Sequence, residues 1–290
     1  MQSSLNYREY IGKGRSIETR IKLLILDIDG TLLNREGILS AEDKKALALV
    51  GASGIKISLS SGRSVSACLP ILDKLSLDGY HTSFDGALVS NPKLKKEVYA
   101  EPLGDRLVEQ IIDFTHDNGI NIELYSDKHL FIERETWMAG IRRQIFKTQP
   151  VIGDFAGIDR KERLIKGTIV ARSPEEKAKV EHLYANFNGH ATFSSNRTPA
   201  FPGVDFVNVL ALGVSKGKAL ESLISFMGIS LSEVMAIGDG SNDASLFSRV
   251  GVAVAMGDAS DELKDMAHHV TLDADHSGVA EAVNRILLAR

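Results

Sequence analysis

The sequence contains one cysteine, Cys68, so no disulfide can form within the chain, and a reducing compartment suits it. Cys68 lies in the apolar stretch 65–75, and its expected place is the core. No run of residues approaches the ~20 apolar positions that would span a bilayer. The first twenty residues, 1–20, are polar and mixed in charge, with Gly12 and Gly14 and no apolar centre. They are expected to form an N-terminal extension rather than a signal peptide, and a cytoplasmic location is the default expectation. An excess of basic residues is also lacking: 34 Lys and Arg face 38 Asp and Glu, a net charge of −4. That balance gives no reason to expect nucleic acid or another polyanion as partner. It remains compatible with a small anionic substrate held by a few local cations and a metal. His116, His129, His182 and His190 show no metal-ligand spacing.

What is present is ordinary globular material: 290 residues, 43% hydrophobic and 25% charged, enough for about two domains. The run from Ile21 to Leu26 is apolar except for Lys22, as in a strand buried on both faces, and it ends on Asp27. Ser40 followed by Asp43 marks a helix start carrying Ala46, Leu47, Leu49 and Val50. Ile55, Ile57 and Leu59 alternate into Ser60-Ser61-Gly62-Arg63. A helix follows to about Leu75, which Pro70 is expected to start or kink. Near the C-terminus, Leu220, Leu223, Ile224 and Met227 fall at helical spacing before Gly228. Short strands then end at Gly238-Asp239 and Gly257-Asp258, and helices begin near Ser260 and Ser277. Alternating strands and helices predict a parallel sheet covered on both faces, with ligands bound beyond the carboxyl ends of the strands. Asp27, Ser61 and Asp239 should therefore converge. The middle differs, with strong helix signals at 103–116 and at Ser173-Pro174-Glu175-Glu176 between alternating strands. The fold class is α/β: a Rossmann-like three-layer core from 21–87 and 207–290, with an α+β domain, 88–206, inserted into it.

Hydrolysing a phosphate monoester requires charge neutralisation, in-line attack and protonation of the departing oxygen. Asp27 and Asp29, two residues apart just past a strand, could divide this work as nucleophile and proton carrier, with Gly30 allowing close approach of the backbone. By itself Asp-x-Asp-Gly also fits a turn or a fragment of a calcium loop, although residues 34–39 do not supply the remaining EF-hand ligands. Asp239-Gly240-Ser241-Asn242-Asp243 offers hard oxygen ligands for magnesium, although as an isolated string it reads first as an aspartate-rich turn with helix capping. Ser61-Gly62-Arg63 could donate to phosphate or simply cap a helix. Lys216, beside Gly217 before a helix, could meet phosphate or solvent. Arg142, Arg143 and Lys147 are expected on a solvated helix face, Trp137 in packing, and His268-His269 on an exposed helix end.

The order of these signals carries more than any one of them. Asp-x-Asp-Gly-Thr, Ser-Gly-Arg, an insertion, Lys-Gly and Gly-Asp-x-x-Asn-Asp closely resemble the haloacid dehalogenase superfamily of phosphohydrolases. The resemblance is nearest to the Cof-like branch with a large inserted α+β cap, and it runs from about Ile21 to the C-terminus. It implies a phosphatase for a small phosphorylated metabolite, such as a sugar phosphate, with Asp27 as nucleophile and Asp29 as acid and base. It implies Mg2+ held by Asp27, the Asp29 carbonyl and Asp239, with Asp243 nearby through water. Ser61, Gly62 and Lys216 would bind the phosphoryl group, and Asn242 would assist at the phosphate or the metal. The cap would set specificity. Two departures stand out: Asp85 and Asp258 occupy positions where the family commonly has asparagine. A phosphomutase or phosphotransferase using the same aspartate, and a phosphate-ligand sensor without catalysis, are the competing readings. The incomplete glycine pattern at Gly238-Asp239-Gly240 argues against a dinucleotide enzyme.

Overall fold

The computed structural model describes residues 21–144, 148–159, 161–196 and 201–288. The segment 1–20 and Lys147 lie outside the described residues. The chain opens with β1 (Leu23–Leu26), α1 (Ala41–Ala52), β2 (Lys56–Leu59), α2 (Val65–Lys74) and β3 (His81–Ser83). It continues through β4 (Leu88–Asn91), β5 (Lys96–Ala100), α3 (Asp105–Asp117), β6 (Ile122–Ser126), β7 (Leu130–Ile132), α4 (Trp137–Gln144) and β8 (Pro150–Ile152). Next come β9 (Leu164–Ala171), α5 (Pro174–Phe187), β10 (Ala191–Asn196), β11 (Asp205–Ala211) and α6 (Lys216–Met227). The last elements are β12 (Val234–Gly238), α7 (Ala244–Phe247), β13 (Val252–Ala255), α8 (Asp261–Met266), β14 (His269–Val270) and α9 (Gly278–Val283).

The core is a parallel sheet in the order β14-β13-β12-β1-β2. Its central strand explains the uninterrupted apolar run. Leu24 and Leu26 point into one hydrophobic cluster with α1, α2 and α9, while Leu23 and Ile25 point into another with α6 and α7. A strand covered on both faces cannot alternate polar and apolar residues, because either face would then bury an unpaired polar group. Helix starts fall where the sequence indicated at Ser40, Ser173 and Ser260, each of which accepts a backbone N–H from the first turn; Ser215 does the same for α6 without having been marked as a cap. Asp43 answers its own cap, Ser40, and its Oδ1 also accepts the Ala280 N–H at 2.6 Å, fastening α9 to α1. Pro70 neither starts nor ends α2, which begins five residues earlier behind its cap Ser64.

A second sheet, in the order β10-β11-β9-β6-β7-β8, is antiparallel apart from its β7–β8 edge. Helices α3 and α5 cover one face, with Ile111, Val180, Leu183 and Phe187 against Ile122, Leu124 and Ile169. The other face places Tyr125, Ile165 and Leu210 against Phe84, Leu88 and Val214 at the junction with the core. The expected division at 87/88 falls inside a small meander, β3-β4-β5, tied to the core through a Ser60–Thr82 bridge and through Val89 against α6. The division at 206/207 falls inside β11, which belongs to the second sheet. Arg142 is not on a solvated face: its side chain is 11% exposed and clamped to Glu123. Arg143 pairs with Glu135. Trp137 lies beside Phe201 and under Arg172. His268 and His269 lie past the end of α8, at β14, where His268 Nδ1 accepts the Ala253 N–H.

Candidate active site

Asp27 is the first residue beyond β1, and its N–H still donates to Ile237 O of β12 at 3.0 Å. The backbone then turns sharply, with Leu32 and Leu33 N–H both donating to Ile28 O and Gly30 at φ +89°. The turn separates the two aspartates. Asp27 is buried, whereas the Asp29 side chain is 46% exposed. Ser61 stands past the end of β2 and Asp239 past the end of β12, so adjacent parallel strands bring the three ends together.

Lys216 is the first residue of α6, and its side chain is fully buried. Its Nζ lies 2.5 Å from Asp27 Oδ1 and 2.7 Å from Asp243 Oδ1. A solvent-facing lysine is thus excluded. Carboxylate oxygens of Asp27, Asp239 and Asp243 all lie within 4.8 Å of one another. Burial raises Asp27 well above the usual carboxylate range, against the pull of Lys216 and with a further push from Asp243 and Asp239. Burial, then Asp243, carries Asp239 up to about 7. For Lys216 burial acts downward, but Asp243 and Asp27 outweigh it, and the ammonium is held well above its ordinary value. Three carboxylates around one ammonium leave a negative field that a further cation would relieve.

The donor atoms fit a hard divalent ion. Asp243 Oδ2 already accepts from the Asp239 and Gly240 N–H groups at 3.2 and 3.1 Å, and Asp239 Oδ1 accepts from Thr31 Oγ1 at 2.7 Å. Asp27 Oδ2 and Asp239 Oδ2 carry no hydrogen bond among the described residues. Both oxygens of Asp243 are engaged, which suits a supporting role behind the ion. A Cβ on Gly30 would come within 2.3 Å of Asp239 Oδ2, so glycine keeps this space clear.

Ser61 is buried, and its Oγ accepts the Arg63 N–H at 3.2 Å. Asn242 Nδ2 donates to Asp85 Oδ1 at 2.9 Å, and Asn208 Nδ2 of β11 donates to Asp85 Oδ2 at 2.9 Å. Asp258 is exposed after β13, near enough to add to the upward push on Asp239. Sequence reasoning had given no role to Arg63, which grips both Asp29 oxygens at 2.8 and 2.6 Å. Thr31, Lys166 and Asn208 were likewise missed. Arg63 and Thr31 stand inside the recognised strings, Ser-Gly-Arg and Asp-x-Asp-Gly-Thr, with no role of their own attached; the other two sit in the second sheet with no local signal.

A family model described as haloacid dehalogenase-like hydrolase matches residues 24–283. The chain belongs to that family. Phosphoglycolate phosphatase 1 of Saccharolobus solfataricus is 30% identical over 272 residues, covering 92% of this chain and 96% of that protein. A haloacid dehalogenase-like hydrolase from Bacteroides thetaiotaomicron superposes with a TM-score of 0.81 at 27% identity, covering 92% of this chain and all of that one. The subclass IIB sugar phosphatase BT4131 gives 0.74 at 25% identity, covering 91% and 98%. The Cof-like motif order and the α/β architecture of this haloacid dehalogenase-like hydrolase agree with these relatives, and the enzyme class is a phosphatase.

Proposed function

We propose that this phosphatase hydrolyses a small phosphate monoester, with sugar phosphates as the substrate class, through an aspartyl-phosphate on Asp27. The observation that carries this reading is the state of Asp27: one oxygen pinned by Lys216, the other unbonded among the described residues, in a carboxylate cluster with Asp239 and Asp243 at a strand end. A fixed carboxylate with one oxygen to spare is suited to in-line attack. Asp29 is the proton carrier of this reading: both of its oxygens accept from Arg63, so that pair must part for a proton to occupy one of them before it passes to the departing oxygen, after which Asp29 takes the proton of the attacking water. Ser61 Oγ, having accepted the Arg63 N–H, keeps its own proton to donate to a phosphoryl oxygen. Magnesium, held by Asp27, Asp239 and the Asp29 carbonyl with Asp243 behind, would neutralise charge on the phosphoryl group and on Asp27. The second sheet with its helices acts as the cap that selects the leaving group, and the enzyme works in the cytoplasm.

The test is phosphate release from p-nitrophenyl phosphate and a panel of sugar phosphates, with magnesium and with EDTA. Asp27→Asn should lose activity by roughly a thousandfold or more while remaining folded. Undiminished hydrolysis by the folded variant would remove Asp27 as nucleophile.

A further inference from the structure

Lys166 belongs to β9, in the inserted domain, yet it is only 6% exposed. An ammonium at that depth is costly unless its charge and protons are met. Among the described residues no carboxylate oxygen lies within ion-pair distance of it. Its hydrogen bond instead runs 2.8 Å to the carbonyl of Gly62, 104 residues away in sequence. Its head also lies 5.8 Å from the Phe84 ring centre and 5.1 Å from that of Tyr125. Burial lowers its pKa to about 8, against the opposing pull of Asp85. A buried cation therefore spends its contact on one carbonyl of the Ser61-Gly62-Arg63 loop.

That carbonyl is not isolated. The Gly62 C=O and the Arg63 N–H belong to one planar peptide unit, so fixing the first fixes the direction of the second. The Arg63 N–H donates to Ser61 Oγ, which occupies an acceptor site of the hydroxyl and restricts where its proton can point. We propose that Lys166 is a positioning residue: from the inserted domain it sets the Gly62–Arg63 peptide plane and thereby aims the Ser61 hydroxyl at the phosphoryl group. The phosphate loop is then complete only with β9 seated against it. This rests on Ser61 being a phosphate donor, as in the proposed function.

The experiment is a double-mutant cycle read by the Kd of inorganic phosphate in the presence of magnesium, measured calorimetrically on the full chain. Lys166→Met should weaken phosphate binding by about tenfold, the loss of one aligned hydrogen bond. Ser61→Ala should weaken it similarly, and Lys166→Met made on Ser61→Ala should add at most about twofold. Lys166→Arg, which keeps a donor for Gly62, should recover most of the wild-type affinity. Equal effects of Lys166→Met with and without Ser61, or an unchanged Kd in the folded variant, would overturn the proposal. Thermal melts of each variant separate loss of fold from loss of aim. If the wild type binds phosphate but releases none from any monoester, the hydrolytic reading falls while the cycle still decides on Lys166. A wild type that does not bind phosphate overturns both.

Discussion

Replacing Lys216 by methionine tests the electrostatics of the site most directly. Methionine is apolar and of similar length, so packing is nearly retained while the charge is lost. The Lys216 and Asp243 side chains are fully buried and that of Asp27 is 9% exposed, so water cannot substitute for the ammonium. Removing one partner of a buried ion pair costs about 3–5 kcal/mol. Against a total stability of about 5–15 kcal/mol, the variant should fold but with little margin. The pH dependence has a definite sign. Burial and mutual repulsion already raise Asp27 and Asp239 in the folded protein, and losing the cation raises them further. The folded variant then binds protons that its unfolded chain releases, so the deficit is largest at neutral pH and shrinks as pH falls toward the unfolded carboxylate value near 4. Urea denaturation in EDTA at pH 7.5 and 5.5 measures it. Equal midpoints for wild type and variant at pH 7.5, or a deficit that widens on acidification, would refute the reasoning.

Three further outcomes follow from the same geometry. Wild type in EDTA should lose stability as pH rises from the unfolded carboxylate value through about 7, where Asp239 ionises, and magnesium should remove that decline; melting curves at pH 5 to 8 that are flat without metal would contradict it. Gly30→Ala places a methyl where φ is +89° and Asp239 Oδ2 is 2.3 Å away, so the magnesium concentration for half-maximal phosphate release should rise; an unchanged titration would show that the space is not needed. Asp43→Ala removes the acceptor for the Ala280 N–H and should cost about 1–3 kcal/mol in chemical denaturation, with phosphate release by the folded enzyme unchanged.

What could be read in advance was what the chain encodes locally. An apolar run ending on Asp27, a serine before each of several helices and the alternation of strands with helices are all signals carried within a dozen residues or so. They sufficed to bring Asp27, Ser61 and Asp239 to one sheet end. The pairings that make the site lie far apart in sequence: Lys216 with Asp27 across 189 residues, and Asn208 with Asp85 across 123. Arg142 was misread for the same reason, since Glu123, its buried partner, belongs to another element. Asp85 shows what such distance hides. As a string it was only a departure from asparagine; in the fold it is an acceptor between two amide donors, Asn208 and Asn242, with Thr168 Oγ1 donating to Asn208 Oδ1 at 2.9 Å. Asparagine in place of Asp85 would set one NH2 group against another, a mismatch costing about 1–3 kcal/mol in a buried site. Flipping Asn208 would relieve the mismatch only at the loss of its bond from Thr168, whose hydroxyl would have to turn from donor to acceptor. Asp85→Asn should therefore destabilise, and adding Asn208→Asp should restore stability. In the double variant the carboxylate introduced on β11 accepts from Thr168 and from the substituted amide, whose own oxygen accepts from Asn242. A double-mutant cycle in urea denaturation reads this coupling, and strictly additive losses would show that the acceptor pattern, rather than the residue's departure, had been misunderstood.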